Sequence, residues 1–415
     1  MTLDPVHVEE IAALARLVET SVDATEQTNL ADQVWEKFLD PLSRDGRAIL
    51  EPVGDLRRGR VGIDKIALDE PPFPTSHGLD AGTVNPTTFR NGAVIDVAHA
   101  AMASEPSDPE LHRRRTIVAT MHLADRTVPV PDSWISFDEG YSRRKWLQVP
   151  QVQRFAEGVV HTLALHHAEI AHAHDNLDAV TDLFLLDGPI YPKEILRWQD
   201  RHRELREKLV ADVVPGAVVQ SAIDLVGACL ERELPIVGFV KNPSSNRLTR
   251  AIRAAGHPAP WFNDAAFFRR ILGLEGEHQL PRDQLGFTNW FISRAGTDSA
   301  FASDSSSALD LDIPAPTDAF EVTFMVIADP RTGVTYRAEA PRAVTADPTR
   351  RAALTRQLLR EVAAERGPPR AIAKADSLAG ISRGEKRALR QVLEQTWDTS
   401  VDRTYDDLRW GAEAE

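Results

Sequence analysis

The chain has 415 residues, with 48 Lys+Arg against 62 Asp+Glu, a formal net charge of −14 and a pI near 5.4. With 42% apolar and 27% charged residues it can bury a sizeable core, which excludes disorder as its main state and suits two or three ordinary domains or one large one. Its single cysteine, Cys229, excludes an internal disulfide, a cysteine-rich zinc site and an iron–sulfur cluster.

Residues 4–42 carry apolar side chains at helical spacing (Val8, Ile11, Leu14, Ala15, Val18, then Leu30, Val34, Phe38, Leu39) and predict one or two amphipathic helices. Residues 1–50 therefore read as an N-terminal helical arm, either free or covered by a second copy or a partner. Residues 51–74, rich in Pro, Gly and Arg, read as connection before a domain spanning 51–415. Residues 78–83 run through the Asn91-Gly92 turn into the alternating stretch 93–102, the pattern of an opening hairpin. A long helix is expected within 151–178, followed by a buried strand, Leu183-Phe184-Leu185-Leu186-Asp187, that ends at a carboxylate and a turn. Helical segments at 193–209 and 217–232 precede a second buried strand at 234–241. The loop 296–315, rich in Ser, Asp and Ala, reads as a mobile or inserted segment. Residues 320–328 and 334–340 flank Asp329-Pro330-Arg331-Thr332-Gly333 and should pair as a hairpin. Helices are expected at 348–365 and 382–396, the latter with Ser382 and Glu385 in a capping-box pattern. The alternation of strands and helices predicts an α/β fold with a mixed sheet.

No stretch of about 18 uncharged apolar residues occurs. The N-terminus has neither a basic nor an apolar leader region, so a cytoplasmic setting without a membrane span is expected. Only 8 of the basic residues are Lys and 40 are Arg, and Asp is plentiful in loops, a usage that suits a salt-adapted, haloarchaeal or high-GC source. The negative net charge does not argue against a nucleic-acid ligand, but any polyanion site must be a local, Arg-lined groove.

Missing motifs narrow the chemistry. There is no phosphate-loop Gly-x-x-x-x-Gly-Lys-[Ser/Thr], no Gly-x-Gly-x-x-Gly after a strand, no Gly-x-Ser-x-Gly and no His-Glu-x-x-His, which argues against a self-contained ATPase, a dinucleotide-binding dehydrogenase and a serine hydrolase. What remains is carboxylates at strand ends. Asp80 and Asp187, with Glu169 from the intervening helix, can form an oxygen cage for a hard divalent cation such as Mn²⁺ or Mg²⁺. Phosphodiester hydrolysis uses such a cage, whereas the same aspartates can also be plain turn caps. His161, His166, His167, His172 and His174 form a solvated or carboxylate-neighbouring face, with zinc binding by His166, Glu169 and His172 as the alternative. Lys241, at a strand end, precedes small polar residues and Arg247, Arg250 and Arg253 at helical spacing, a pattern that suits phosphate contact through side chains and the amide N–H groups that open the helix, or ordinary capping. Trp290 and Arg294 can stack a base and hold a phosphate, or belong to the core.

In order along the chain, Gly78-Leu79-Asp80-Ala81-Gly82-Thr83, Phe184-Leu185-Leu186-Asp187-Gly188-Pro189, Ile236-Val237-Gly238-Phe239-Val240-Lys241, Glu339-Ala340-Pro341 and Ala375-Asp376-x-x-Ala379 resemble the signposts of the NurA family of DNA-end-processing nucleases. The resemblance covers about residues 75–400. It implies an RNase H-like fold and a Mn²⁺-dependent 5′-to-3′ exonuclease and single-strand endonuclease. It also implies a homodimer and partnership with a HerA-type hexameric ATPase. Asp80, Glu169, Asp187 and Asp376 would be the metal and catalytic residues, and Lys241, Arg247, Arg250, Trp290 and Arg294 would contact DNA. One departure is Asp376, where the family often has histidine; aspartate offers oxygen ligands but no imidazole. Two competing readings follow: a catalytically weakened or inactive clamp for a ring ATPase, and a phosphoesterase for small esters.

Overall fold

The computed structural model describes residues 4–19, 24–125, 127–276, 279–302, 309–403 and 405. Helical periodicity at the N-terminus produces α1 (Pro5–Glu19) and α2 (Ala24–Phe38), and three short strands follow: β1 (Leu42–Arg44), β2 (Arg47–Pro52) and β3 (Arg58–Gly62). The 1–50 segment divides in two. α1 leaves Val6, Val8, Ile11 and Leu14 exposed, whereas α2 buries Ala31, Val34 and Trp35 beside residues 264–271, and β2 runs through residue 50 to pair with residues 291–293. The expected connection 51–74 holds β3 and a helical turn, α3 (Ile63–Ala67), whose Ile63 and Ile66 are buried; Pro52 ends β2, and Pro71, Pro72 and Pro74 fall after both elements.

The turn at Asn91-Gly92 closes the expected hairpin between β4 (Ser76–Thr83) and β6 (Val94–Glu105), with β5 (Thr87–Thr88) pairing against β6. β7 (Arg115–His122), β8 (Ile135–Ser136) and β9 (Ser142–Gln148) extend this side of the sheet. The long helix α4 (Ala156–Asn176) then crosses to β10 (Leu183–Asp187). Four helices, α5 (Lys193–Leu196), α6 (Trp198–Arg201), α7 (Arg203–Ala211) and α8 (Val213–Glu231), lead to β11 (Ile236–Val240). α8 is long and apolar enough to cross a bilayer, but here it is a core helix, burying Val218, Val219, Ile223, Val226 and Cys229. α9 (Arg247–Ala254), α10 (Asp264–Ile271), β12 (Gln284–Thr288) and β13 (Phe291–Ser293) precede the expected hairpin of β14 (Val322–Asp329) and β15 (Val334–Pro341). α11 (Arg342–Ala346), α12 (Pro348–Glu365), α13 (Arg370–Ala379) and α14 (Arg383–Thr396) complete the described chain, and Ser382 and Glu385 close the capping box at α14.

One mixed sheet runs through the molecule in the order β1-β2-β13-β14-β15-β11-β10-β4-β6-β7-β9-β8. Its middle, β7-β6-β4-β10-β11, has three antiparallel strands followed by two parallel to β4, which is the RNase H-like arrangement. Leu79, Phe184 and Ile236 point to the α4 and α8 side. Leu183, Leu185, Val237 and Phe239 point to α12 and α13 on the other side. The loop expected to be mobile begins with a 3₁₀ turn, Gly296–Phe301, that buries Asp298 and Phe301, while residues 303–308 lie outside the described residues.

Candidate metal centre and cleft

Strand alternation places Gly78, Asp80 and Gly82 on one face of β4. The two glycines are there because α13 lies on that face without clearance. A Cβ at Gly78 would meet the Ala371 carbonyl at 2.3 Å, and one at Gly82 the Ala379 oxygen at 2.4 Å. α13 thereby brings Asp376 over Asp80. On the neighbouring parallel strand Leu186 pairs with Leu79, so Asp187, the next residue, comes beside Asp80. One carboxylate oxygen from each of Asp80, Asp187 and Asp376 lies within 4.8 Å of the others, an all-oxygen set of the kind hard divalent cations take. Among the described residues this is the only such group of three or more potential ligands. Glu169 is not part of it; it acts on Asp80 and Asp187 through its charge and sits 3.4 Å from His166.

The electrostatics fit a cation. Burial, then the charges of Asp187 and Glu169, push the Asp80 carboxyl up to about 8, and a bond with Asp376 adds to the shift. Burial also raises Asp187, against a 2.5 Å ion pair with Lys241 that pulls it down. Burial pulls the Lys241 ammonium down in turn, but its bond to Asp187 and the fields of Asp187, Asp376 and Asp80 outweigh this and leave it raised. Three carboxylates with one ammonium between them carry surplus negative charge, which a divalent ion at the shared oxygens would neutralise.

Beside Asp187 and Glu169 opens a cleft of about 510 Å³, also lined by His161, His166, Lys193, Arg197, residues 242–247 and Glu339. Arg247 lies on its wall, 3.2 Å from Asp200. The expected anion contact through amides at the start of α9 is corrected: buried Asp264 already accepts the Leu248 and Thr249 N–H groups, at 3.2 and 2.9 Å. Arg250 is exposed on α9 and is not part of the cleft lining. Two further DNA-contact expectations are corrected. Trp290 is 2% exposed and donates its indole N–H to Thr355 at 2.9 Å, so its ring fills the core and cannot stack a base. Arg294 forks onto buried Glu321 at 2.7 and 2.9 Å and reaches Glu51 at 3.0 Å, so its donors are spent inside the protein.

The histidines do not form a zinc face. Burial pushes His172 down to about 3, and its Nδ1 lies 3.0 Å from the Thr116 hydroxyl. Burial likewise pushes His167 down to about 4, and the ring stacks on Trp134. Residue-by-residue reading missed a buried ionic group at the cleft floor: Lys193 Nζ contacts Asp298 at 2.6 Å and Glu339 at 2.7 Å, and Arg337 joins both carboxylates. The one available signal was Glu339, in Glu339-Ala340-Pro341.

Residues 76–381 match the NurA domain family. Among solved structures, the NurA nuclease from Sulfolobus solfataricus is similar at a TM-score of 0.50 and 9% identity, over 96% of this chain and 98% of that one. A NurA bound to dAMP and manganese is similar at 0.45 and 10% identity, over 98% of this chain and 100% of that one. No curated protein matches the sequence.

Proposed function

Because the chain belongs to the NurA family, we propose that it is a divalent-metal-dependent deoxyribonuclease that processes DNA ends, with Mn²⁺ as cofactor and Mg²⁺ as the alternative. The observation that carries this reading is the convergence of Asp80, Asp187 and Asp376 within 4.8 Å from two strands and a helix distant in sequence. Turn capping alone would not bring them together. The donor set suits a hard cation, which when bound supplies Lewis-acid activation of water and neutralises charge on the phosphate. Asp80, Asp187 and Asp376 would hold it, and Glu169, adjoining the cluster through its field, would orient the attacking water.

The remaining work falls to the chain's own side chains. Lys241 keeps Asp187 in a single orientation at 2.5 Å and sets a fixed positive charge where negative charge grows on the scissile phosphate. Arg197 and Arg247 on the cleft wall draw the strand's backbone in, and the amide and hydroxyl groups of Asn242, Ser244, Ser245 and Asn246 offer it hydrogen bonds. In this reading the activity is 5′-to-3′ exonucleolytic on ends and endonucleolytic on single strands. The protein works as a homodimer with a HerA-type ring ATPase, which would provide the missing ATP-driven motion. The exposed apolar residues of α1, Val6, Val8, Ile11 and Leu14, support a protein contact there.

The test is cleavage of end-labelled single- and double-stranded DNA with Mn²⁺, Mg²⁺ or EDTA. Mn²⁺-dependent degradation should be lost in Asp187→Ala while the melting curve stays cooperative. A folded wild-type protein that cuts nothing under any condition would refute the enzyme reading and leave the clamp. Size-exclusion light scattering and co-purification with a ring ATPase test the assembly.

A further inference from the structure

Asp96 stands where packing calls for a small apolar residue. Even-numbered residues of β6 face α4, and Ala98 and Ala100 there pack against Ala164 and Ala168. Asp96 continues the same row at 1% exposure. A carboxylate at such a place is costly unless hydrogen bonds and an opposite charge compensate it. Its Oδ1 accepts the Val97 amide at 2.8 Å, and its Oδ2 meets Nδ1 of His161, on α4, at 2.8 Å. The bond to Asp96, opposed by burial and aided by the charges of Asp96 and Glu194, raises the His161 imidazole above its usual range.

His161 is not sealed in with its partner. Its side chain is 37% exposed and lines the cleft that holds Asp187 and Glu169. With Nδ1 committed to Asp96, Nε2–H is the donor left for a ligand. Arg197, exposed on the same cleft, has no carboxylate partner among the described residues. His161 precedes Glu169 by eight residues of α4, about 12 Å of helix. That span is about three stacked nucleotides at about 3.4 Å each.

We propose that the Asp96–His161 pair is a second phosphate-binding site of the cleft, gripping the backbone of a DNA strand about three nucleotides from Glu169, whose charge acts on the carboxylate cluster. The identity of the ligand as DNA rests on the nuclease reading above. His161 is the contact, through Nε2–H, and Asp96 is a positioning residue that fixes the ring and its charge. The site makes strand length matter: a tetranucleotide engaged at the carboxylates barely reaches it, whereas a dodecanucleotide crosses it.

The experiment uses the full chain at pH 7 and oligo-dT of 4 and 12 nucleotides. It reads the Kd of the fluorescein-labelled 12-mer in EDTA and the KM of both lengths with Mn²⁺. His161→Gln and Asp96→Asn should each weaken the 12-mer about tenfold and the 4-mer much less, and His161→Lys, which keeps a cation beside Asp96, should recover most of the loss. An unchanged 12-mer Kd in both variants, or equal weakening of both lengths, would overturn the site. If the wild type cleaved neither length the nuclease reading would fall, yet the 12-mer Kd would still decide whether the pair holds phosphate.

Discussion

Gly78→Ala tests how the metal centre is assembled without touching a carboxylate. The added Cβ would lie 2.3 Å from the backbone carbon and oxygen of Ala371 and 2.5 Å from the Ile372 nitrogen, where ordinary contact begins near 3.4 Å. Backbone cannot rotate away as a side chain can, so α13 must retreat by about 1 Å, carrying Asp376, one helical turn on from Ile372, away from Asp80 and Asp187. Overpacking of this kind costs about 1–3 kcal/mol. At the roughly 0.8 kcal/mol per degree expected of a chain this long, melting falls by about 1–4 °C. The catalytic effect is larger, because a shift of about 1 Å in a positioning element costs about 10²-fold. The assay is the initial rate of Mn²⁺-dependent cleavage of a single-stranded oligonucleotide, read beside a thermal melt. Gly158→Ala is the control: no atom lies within 4 Å of its Cβ, and alanine favours helix there. Wild-type rate and melting temperature in Gly78→Ala would refute the docking of α13 on β4.

Asp80 dictates a pH dependence. Its folded-state value of about 8 lies above the unfolded value of 3.8, so the folded protein holds the extra proton. The stability it contributes is present below pH 3.8 and is lost as pH rises through about 8. In EDTA the melting temperature should therefore fall between pH 5 and 8, Asp80→Asn should flatten the fall, and Mn²⁺ should stabilise the wild type most at the upper end; a melting temperature that rises with pH to the same extent in both proteins would contradict this. Trp290→Phe should cost about 1 kcal/mol through loss of the Thr355 hydrogen bond and leave oligonucleotide affinity unchanged, as titration and melting would report. Arg294→Met should destabilise by about 3 kcal/mol, because Glu321 is fully buried and would lose the guanidinium that forks onto it at 2.7 and 2.9 Å; urea unfolding measures this, and a change in DNA affinity without loss of stability would restore the DNA-contact reading.

Local signals in the sequence sufficed for much of the scaffold. Asn91-Gly92 and the turn before Gly333 announced the two long hairpins, Ser382 with Glu385 announced the start of α14, and a run of apolar residues ending in Asp187 announced a buried strand with a carboxylate at its tip. Each depends on neighbours a few residues away, so one sequence carries it. Asp80 and Asp187 were legible as candidates for the same reason. Their meeting with Asp376 was implied by the family resemblance and by no local signal, since it depends on α13 settling into the space left by Gly78 and Gly82, nearly 300 positions earlier in the chain. Trp290 and Arg294 could be ranked as core or ligand only once their partners were known, and Thr355 and Glu321 lie 65 and 27 positions away. The same holds for Asp96 and His161, 65 positions apart and joined only when α4 folds across β6. The sequence by itself determined which segments become strands and helices and which carboxylates end them. The tertiary structure alone decided which charges converge on the centre and which are consumed in the core, because that choice is made by long-range packing and carries no local signature.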